Sequence, residues 1–303
     1  MVPGQHASGP GQRPGFRQVW EALLTAPRPL IMGVINVTPD SFSDGGRFFD
    51  HRDALAQARA LTAAGADLLD IGGESTRPFA AAVPLEEELR RILPLIEAIA
   101  REISLPISID TYKAPVARAA LNAGACLIND ISALRFDPDM APLAAQHQAP
   151  VVLMHMQGTP RDMQVKPHYD DLIGEIKAFF RERLHFAVSQ GIPRELLILD
   201  PGIGFGKTYR HNLEILNHLD AFLDLGCPLM VGPSRKAFIG HILNLPNGEV
   251  RDVGTLAAVA VAAQRGARII RTHNAAYTRQ FLRVMEAILG GGGQGPGALP
   301  PSP

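Results

Sequence analysis

The sequence is poor in cysteine, nearly balanced in charge and free of long apolar runs. Its 303 residues include only two cysteines, Cys126 and Cys227, which excludes a disulfide framework or a cysteine-based zinc site and favours a reducing, cytoplasmic setting. Lysine and arginine number 29 against 30 aspartates and glutamates, so a net charge of −1 gives no electrostatic case for nucleic acid. Neither a membrane span of roughly 18 apolar residues nor a signal peptide is evident.

Several catalytic and metal motifs are also missing. The 10 histidines form no HxH or HExxH pair, which argues against a tightly held transition metal, and no GxSxG nucleophile motif occurs. The string PGIGFGKT at 201–208 fails both nucleotide patterns, because Pro201 and Lys207 stand where the Walker and GxGxxG motifs need glycine. Its glycines indicate a close approach of the backbone to a ligand or a plain turn.

Both ends of the chain are predicted to be disordered tails. Residues 1–17 and 290–303 are rich in glycine and proline, and the second of these segments reads GGGGQGPGALPPSP. Such segments bury too little apolar surface to offset the entropy of ordering them. We therefore expect one folded domain over residues 18–289.

A single unit recurs through that domain: a short apolar run, a polar or glycine-rich turn, and a segment of helical period. The apolar runs are 29–37, 67–72, 106–110, 126–131, 150–154, 196–200, 229–232 and 268–272. Most are continuously apolar, which is typical of parallel strands buried on both faces. Eight such strands predict an α/β fold, a single (β/α)8 TIM barrel; a doubly wound open sheet is the alternative that periodicity leaves open.

Two helical segments carry recognisable signals at their ends. Pro84 precedes one whose first turn holds glutamates at 86–88, where the helix dipole favours anions. The apolar positions of this segment define a stripe that we expect to be buried: Leu89, Ile92, Ile96 and Ile99. Asp252 is expected to cap the N-terminus of a later helix, which Gly266 would end.

Polar side chains stand at the C-terminal end of every predicted strand. They are Asn36, the segment 74–77, Asp110, Asn129 and Asp130, His155, Asp200, the segment 234–236, and Arg271 with His273. In a barrel these ends meet on one face, where the active sites of this architecture lie. Any one Asp, Asn or Ser could instead cap the following helix, but Lys236, Arg271 and His273 are poor caps.

The converging residues suit a heterocycle that carries a phosphate. Asp110, Asp200, Asn36 and Asn129 offer oxygens that can read the N–H edge of a planar ring. Arginine and lysine side chains expected at the same mouth suit a phosphate: Arg77, Arg235, Lys236 and Arg271. Phe205, Met154 and Met156 offer flat or polarizable contact surface for the ring. The polar loop at 36–47 is long for a βα connection, as functional lids are.

The strand-end motifs resemble those of dihydropteroate synthase, the folate-pathway enzyme that sulfonamides inhibit. The matching strings are GVINVTPDSFSDGG at 33–46, DIGGESTRP at 70–78, ISIDTYK at 107–113, INDIS at 128–132, LMHMQGTP at 153–160, LDPGIGFGK at 199–207, GPSRKAFIG at 232–240 and IIRTH at 269–273. This family joins 7,8-dihydropterin-6-ylmethyl diphosphate to 4-aminobenzoate and releases diphosphate. The resemblance implies the same reaction here, with Mg²⁺ as cofactor, and a homodimer.

The resemblance also implies roles for individual residues. The pterin pocket would contain Asp110, Asn129, Ile131, Met154, Asp200, Gly204, Phe205 and Lys236. The diphosphate site would contain Asn36, Arg271 and His273, with Asn36 also helping to bind Mg²⁺. The 4-aminobenzoate site would contain Thr76, Arg77, Pro78 and Ser234. The catalytic residues would be Asp110, Asp200, Lys236, Arg271 and His273, and no general base is expected.

Three positions depart from the family pattern. Phe79 replaces a glycine after STRP, Pro233 occupies a variable position before SRK, and Asn274 stands where an aspartate often follows the histidine. Two other functions stay open: a barrel for methyltetrahydrofolate:corrinoid methyl transfer and a catalytically silent pterin-binding paralogue. The combination of ESTRP, SRK and RTH argues against the former, and the intact polar set argues against the latter.

Overall fold

The computed structural model describes residues 20–21, 24–37, 51–76 and 80–290. Over these ranges eight parallel strands alternate with helices. The strands are β1 Leu30–Asn36, β2 Leu68–Gly72, β3 Ile107–Asp110, β4 Leu127–Asp130, β5 Val151–Met154, β6 Leu197–Asp200, β7 Leu229–Val231 and β8 Ala267–Thr272. Each strand coincides with one predicted apolar run to within one residue at either end. The predicted tails lie outside the described residues, apart from Gly290, so the domain bounds at 18 and 289 stay predictions.

Helices connect the strands and surround them. The helices described over their whole length are α1 His51–Ala63, α2 Leu85–Glu102, α3 Ala114–Ala123, α4 Met140–His147, α5 Leu172–Ser189, α6 Tyr209–Asn217, α7 Ala237–Leu243, α8 Asp252–Gln264 and α9 Ala275–Leu289. Short 3₁₀ helices precede β6, β7 and α8; they are Arg194–Leu196, Leu219–Leu225 and Glu249–Arg251. Among the helices of the described ranges, none is both long and apolar enough to cross a bilayer.

The sheet closes into a barrel. The strands pair in chain order, and β8 returns to β1 with Leu30 beside Ile269 and Gly33 beside Thr272. The (β/α)8 prediction is therefore confirmed, and the open-sheet alternative is wrong because an open sheet would leave β1 and β8 as free edges. The continuously apolar runs follow from this closure, since each strand is covered by side chains inside the barrel and by helices outside it.

Burial is nearly complete along the strands. Every residue of β2 to β7 is buried, and Phe180 and Phe222 fill the layer between strands and helices with no exposed surface. Each buried Leu, Ile or Phe side chain contributes roughly 1.5–3 kcal/mol to folding. This apolar layer fixes the positions of the strand ends. The backbone of the polar residues at those ends is therefore held in place as well.

The strand register aligns the polar side chains. Asn36 lies beside Gly72, Gly72 beside Asp110, and Asp110 beside Asn129, while Met154 lies beside Asp200. Aligned residues of neighbouring parallel strands project to the same face of a sheet. The predicted ring-reading residues therefore face one another inside the barrel, near the C-terminal ends of its strands.

The opposite end of the barrel is held by an arginine–carboxylate pair. Arg28 donates two hydrogen bonds of 2.7 Å to the carboxylate of Asp67, which also accepts from the backbone N–H of Ile31 at 2.8 Å. Arg268, at the start of β8, donates to the carbonyls of Leu24 and Ala26. Because these contacts lie at the N-terminal ends of the strands, they stabilise the barrel and stay away from its functional face.

The predictions for helix ends have mixed outcomes. In α2 the stripe Ile92, Ile96 and Ile99 is buried as predicted and Leu89 partly so. Asp252 as an N-cap is wrong: the turn Glu249–Arg251 runs directly into α8, so Asp252 is already helical and its carboxylate binds other side chains. Gly266 follows the end of α8 with a φ of +91°, as expected of a helix stop.

Candidate active site

The C-terminal face of the barrel contains a small cavity. Its walls are formed by Thr76, Asp110, Asn129, Ile131, Met154, Asp200, Ile203, Phe205, Met230, Gly232, Lys236 and Arg271. Residues from seven different strands or the loops after them therefore meet here, as predicted from the strand ends. Ile203, Met230 and Gly232 complete the wall without having been predicted.

Arg271 lines the cavity and lies between two carboxylates. Its Nε donates to Asp70 Oδ2 at 2.6 Å and its Nη2 donates to Asp110 Oδ2 at 2.9 Å. Asn129 Nδ2 donates to the same Asp70 oxygen at 3.0 Å. Asp70 has no exposed surface. Asp70 accepts hydrogen bonds from Arg271, which is predicted to bind diphosphate, and from Asn129, which is predicted to bind pterin. The predicted diphosphate and pterin sites therefore share one hydrogen-bonded group of side chains.

Asp70 was not predicted from the sequence. The strand-end criterion selected residues 74–77 after β2 and passed over a carboxylate within the strand itself. The available signal was the interruption of an otherwise apolar run by aspartate, which on a buried strand needs a partner. The side-chain Oδ1 atoms of Asp70 and Asp110 are buried without a hydrogen-bond partner in the described part of the chain, so both retain acceptor capacity.

Burial makes the carboxyl groups of the cavity less acidic than usual. Burial raises the pKa of Asp110, opposed by the charge of Arg271 and assisted by that of Asp70. Burial also raises the pKa of Asp200, whose Oδ1 accepts a hydrogen bond of 2.8 Å from the backbone N–H of Gly202. These groups are desolvated acceptors, which bind ring N–H donors more strongly than exposed carboxylates do.

Lys236 and Phe205 form a cation–π pair on one side of the cavity. Lys236 Nζ lies 4.3 Å from the centre of the Phe205 ring. Burial, together with the nearby charge of Arg271, lowers the Lys236 pKa to about 8. Gly204 has a φ of +85°, and a Cβ there would lie 3.1 Å from Lys236 Cδ. A glycine at 204 therefore provides both the left-handed turn and the room that this lysine occupies.

The part of the wall next to Phe205 is apolar and polarizable. Ile131, Met154, Met156 and Met163 form a buried cluster, against which Tyr112 and Phe205 pack. Of the residues that the sequence suggests as contact surface for a ring, Met154 and Phe205 line the cavity, whereas Met156 belongs to the buried cluster without lining it. A planar ring seated between this cluster and the carboxylates would have its faces on apolar side chains and its edge on acceptors.

A buried lysine holds the loop after β6. Lys207 Nζ lies 2.9 Å from His155 Nδ1 and donates to the carbonyl oxygens of Phe205 at 2.9 Å and His155 at 3.2 Å. Burial lowers the Lys207 pKa to about 7 and the His155 pKa to about 2. His155 is therefore a neutral partner of the lysine, which explains a histidine at a strand end. Lys207 had no predicted role.

Ser234 and His273 are in contact. His273 Nδ1 lies 2.9 Å from Ser234 Oγ, and the backbone N–H of His273 donates to the same oxygen at 3.2 Å. Burial, with the charge of Arg271 adding to it, lowers the His273 pKa to about 3. The imidazole is thus neutral at physiological pH. The sequence interpretation assigned Ser234 and His273 to different substrates, and their contact puts the two predicted sites side by side.

Arg235 does not belong to the cationic cluster that the sequence indicates at the mouth. Its guanidinium binds the carboxylate of Asp252 through Nε–Oδ1 and Nη2–Oδ2 contacts of 2.7 and 3.0 Å. Asn274 donates to the same carboxylate at 2.9 Å and accepts from the Tyr277 N–H at the start of α9. An asparagine at 274 can make both contacts because it donates as well as accepts.

The remaining predicted residues have different positions. Asn36 ends β1 half-buried, and Thr76 lines the cavity. Arg77, Pro78, Phe79 and most of the loop at 36–47 lie outside the described residues. No group of three or more His, Cys, Asp or Glu side chains that could hold a metal occurs in the described ranges.

Comparison with known proteins gives consistent matches over most of the chain. The profile of the family described as pterin binding enzyme matches residues 32–273. The dihydropteroate synthase of Synechocystis sp. is 48% identical over 261 residues, 86% of this chain and 90% of that protein. The Escherichia coli K12 dihydropteroate synthase is 47% identical over 266 residues, 88% of this chain and 94% of that protein.

Solved structures show the same similarity. Xanthomonas albilineans dihydropteroate synthase with 4-aminobenzoic acid superposes with a TM-score of 0.82 at 48% identity, covering 87% of this chain and 94% of that one. The Yersinia pestis enzyme in a sulfonamide drug complex gives a TM-score of 0.82 at 45% identity, with the same coverage. A further Xanthomonas structure, in complex with 7,8-dihydropteroate, gives 0.79 at 45% identity over 87% of this chain and 94% of that one.

Proposed function

The chain belongs to the dihydropteroate synthase family of pterin-binding enzymes, and on that premise we propose that its cavity joins 7,8-dihydropterin-6-ylmethyl diphosphate to 4-aminobenzoate. The products are 7,8-dihydropteroate and diphosphate. The observation that carries the proposal is that Asp110, Asn129 and Asp200 share one cavity with apolar side chains of a buried cluster, with Arg271 bound between Asp70 and Asp110. Relatives crystallised with 4-aminobenzoic acid and with 7,8-dihydropteroate support both the second substrate and the product.

The pterin would lie with its N–H edge on the acceptors. Asp110, Asp200 and the Asn129 side-chain oxygen would take the ring edge, while Ile131, Met154 and Phe205 contact its faces. Lys236, buried beside Phe205, would donate to a ring acceptor. We assign Gly204 a shaping role, because its left-handed conformation and missing side chain make room for that lysine.

The reaction exchanges a C–O bond for a C–N bond. The bond between the pterin methylene carbon and the bridging diphosphate oxygen breaks, and its electron pair leaves with the diphosphate. The pterin ring spreads the positive charge left on the methylene, and Asp110 and Asp200 stabilise that charge electrostatically. The neutral arylamine nitrogen then attacks the methylene and loses a proton to water, so orientation matters more than a general base.

Arg271, His273 and Asn36 would bind the diphosphate. Arg271 supplies the charged donor, and neutral His273 supplies a ring N–H at its Nε2 when Nδ1 accepts from Ser234. Asn36 offers a half-buried amide oxygen, a hard ligand of the kind that Mg²⁺ accepts alongside substrate phosphates and water. Mg²⁺ that is bound together with substrate phosphates and water needs few protein ligands, so the residues present fit the metal. Bound Mg²⁺ would neutralise charge on the leaving diphosphate.

The second substrate would bind beside the first. Thr76, Arg77, Pro78 and Ser234 form the proposed 4-aminobenzoate site, of which Thr76 lines the cavity and Ser234 contacts His273. We propose that sulfonamides compete there, as the drug complex of the Yersinia pestis enzyme suggests. Phe79 follows this site directly in the sequence, so Phe79→Gly is the variant that tests its influence on inhibitor binding.

The proposal includes a homodimer in the cytoplasm. The outer faces of α8 and α9 expose large apolar side chains, with Val253 at 76%, Val284 at 61% and Ile288 at 73% exposure. We propose that these exposed apolar side chains, of which Val284 and Ile288 lie one turn apart on α9, bind a second copy of the chain. Cys126 and Cys227 are not joined in a disulfide, as is usual in a reducing compartment.

Product formation tests the function directly. We expect 7,8-dihydropteroate and diphosphate to form from the two substrates in the presence of Mg²⁺, and EDTA to abolish turnover. Pterin binding without product would contradict the synthase and favour the silent paralogue. Methyl transfer from methyltetrahydrofolate to a corrinoid, in place of condensation, would favour the other barrel function.

A further inference from the structure

A buried group of charged side chains next to the cavity has no role in the reaction above. Lys113, three residues after Asp110, has its ammonium nitrogen 2.6 Å from each of three acceptors. These are Glu74 Oε2, Glu88 Oε2 and the carbonyl oxygen of Val83. They come from the segment after β2, from α2 and from the residues that precede α2.

Both carboxylates are fully hydrogen-bonded. Glu74 Oε1 accepts from the Tyr112 hydroxyl at 2.6 Å, and Glu88 Oε1 accepts from Thr111 Oγ1 at 2.9 Å. The Glu88 side chain is 1% exposed, and those of Glu74 and Lys113 are 9% and 19% exposed. Every carboxylate oxygen of this group, which we call the Lys113 network, therefore has a partner from the β3–α3 connection.

Such a network costs desolvation free energy. Apolar residues of similar volume often stabilise a protein as well as a buried ion pair does, so the advantage of this arrangement is its defined geometry. That geometry connects Glu74 to Val83 through a single ammonium group. Both residues lie within the connection between β2 and α2, near its two ends, and both are held against the chain segment that follows Asp110.

Thr76 is the residue of this connection that reaches the cavity. It lies two positions after Glu74, whose carboxylate is fixed by Lys113 and Tyr112. Tyr112 also packs on the apolar wall and meets the Phe136 ring edge-on at 5.5 Å. Glu74 is thereby connected to the wall that contacts the pterin.

We infer that Lys113, Glu74 and Tyr112 are positioning residues for the second substrate: they hold Thr76 at a fixed distance from Asp110, so that the arylamine faces the methylene carbon. None of the three lines the cavity. The inference rests on the proposed function, because it assigns Thr76 to the 4-aminobenzoate site. It predicts that the network affects the second substrate much more than the first.

The test compares Lys113→Met with Lys177→Met. Lys177 is a matched control, since its side chain is also 19% exposed and pairs with Asp224 at 2.7 Å on the outer helices. In Lys113→Met we expect the KM for 4-aminobenzoate to rise on the order of tenfold, the value of one charged hydrogen bond. The KM for the pterin diphosphate should change less than about twofold, since roughly 0.4 kcal/mol or less is involved.

Tyr112→Phe and Lys113→Arg keep the test informative if Lys113→Met fails to fold. Tyr112→Phe removes only the hydroxyl that binds Glu74, so a smaller rise in the same KM is expected. Lys113→Arg retains the charge and should restore part of the 4-aminobenzoate affinity. The inference would be overturned if the KM values for 4-aminobenzoate and the pterin diphosphate changed equally. It would also be overturned if neither Lys113→Met nor Tyr112→Phe changed the KM for 4-aminobenzoate.

Hydrogen exchange separates this inference from the proposed function. Amides at 74–76 should exchange faster in Lys113→Met than in the wild-type chain and be unchanged in Lys177→Met. If the wild-type protein forms no product, the proposed function fails, while faster exchange still supports the network as the element that fixes Thr76. Unchanged exchange at 74–76 overturns the positioning role whether or not the protein is active.

Discussion

Arg271 is the side chain that connects two carboxylates of the cavity region, Asp70 and Asp110. Its planar guanidinium binds Asp70 and Asp110 with two different nitrogens, a fork geometry that lysine cannot reproduce. The same group would bind diphosphate oxygens during the reaction. Arg271 therefore contributes both to the arrangement of the cavity and to charge stabilisation.

Removing either end of the Arg271–Asp110 contact should impair turnover strongly. We expect Arg271→Ala and Asp110→Ala to lower kcat by on the order of 10²–10³, the usual effect of losing one preorganised electrostatic partner. Steady-state kinetics with both substrates measures this. Arg265→Ala, which removes an exposed pair with Asp220, is the control. A loss of tenfold or less in the cavity variants would contradict their assigned role.

The raised pKa of Asp110 predicts a pH dependence of pterin binding. Burial raises the pKa above its ordinary value of 3.8, so the side chain takes up a proton at a higher pH than an exposed aspartate. A protonated Asp110 loses acceptor capacity for ring N–H donors. Pterin affinity should therefore fall as the pH is lowered through that raised pKa. Calorimetry with an unreactive pterin measures it, and Asp110→Asn should flatten the profile.

The loop after β6 shows how one element fixes a cavity wall. Lys207 ties the carbonyls of His155 and Phe205 together, and Gly202 has a φ of +71°. A Cβ at Gly202 would lie 2.0 Å from the His155 carbonyl oxygen. Backbone contacts therefore help to set the position of Phe205, together with the packing of its ring on the buried cluster.

Loosening this loop should weaken pterin binding. In Lys207→Met, Phe205 loses the hydrogen bond to its carbonyl, and we expect pterin affinity to fall on the order of tenfold. Gly202→Ala should lower the free energy of unfolding by more than about 1 kcal/mol, since it adds both a backbone clash and a strained φ. Calorimetry and urea unfolding check the two effects. Unchanged pterin affinity in Lys207→Met would show that the loop holds its shape without the lysine.

The strands and their polar ends could be predicted because local pattern determines them. Continuously apolar runs indicate strands that are buried on both faces. A barrel brings the C-terminal ends of these strands together regardless of the exact bounds of the helices. Asp70 escaped prediction because it lies within a strand, and Asp252 was misassigned because a 3₁₀ turn precedes it. Contacts such as Lys113–Glu88 and Lys207–His155 depend on which loops meet in space, which periodicity does not encode.

At the scale of the whole molecule, the exposed apolar faces of α8 and α9 predict self-association. A charged group placed there would have to be buried on dimer formation. We expect the double variant Val284→Glu/Ile288→Glu to sediment as a monomer at concentrations where the wild-type chain is a dimer. Val188→Glu, on the exposed face of α5, should leave the dimer intact. A wild-type chain that is monomeric at every concentration would refute the interface.

The pairing of β1 with β8 has a consequence for how the protein is made. Arg268 donates to the carbonyl of Leu24 across 244 positions, and the edge of β1 that faces away from β2 pairs with the last strand, β8. During synthesis that edge has no partner until β8 has left the ribosome. Contacts so distant in sequence form late, and an unpaired strand edge is a template for aggregation. A nascent chain stopped before Ala267 therefore leaves β1 and β7 open to pairing with other chains.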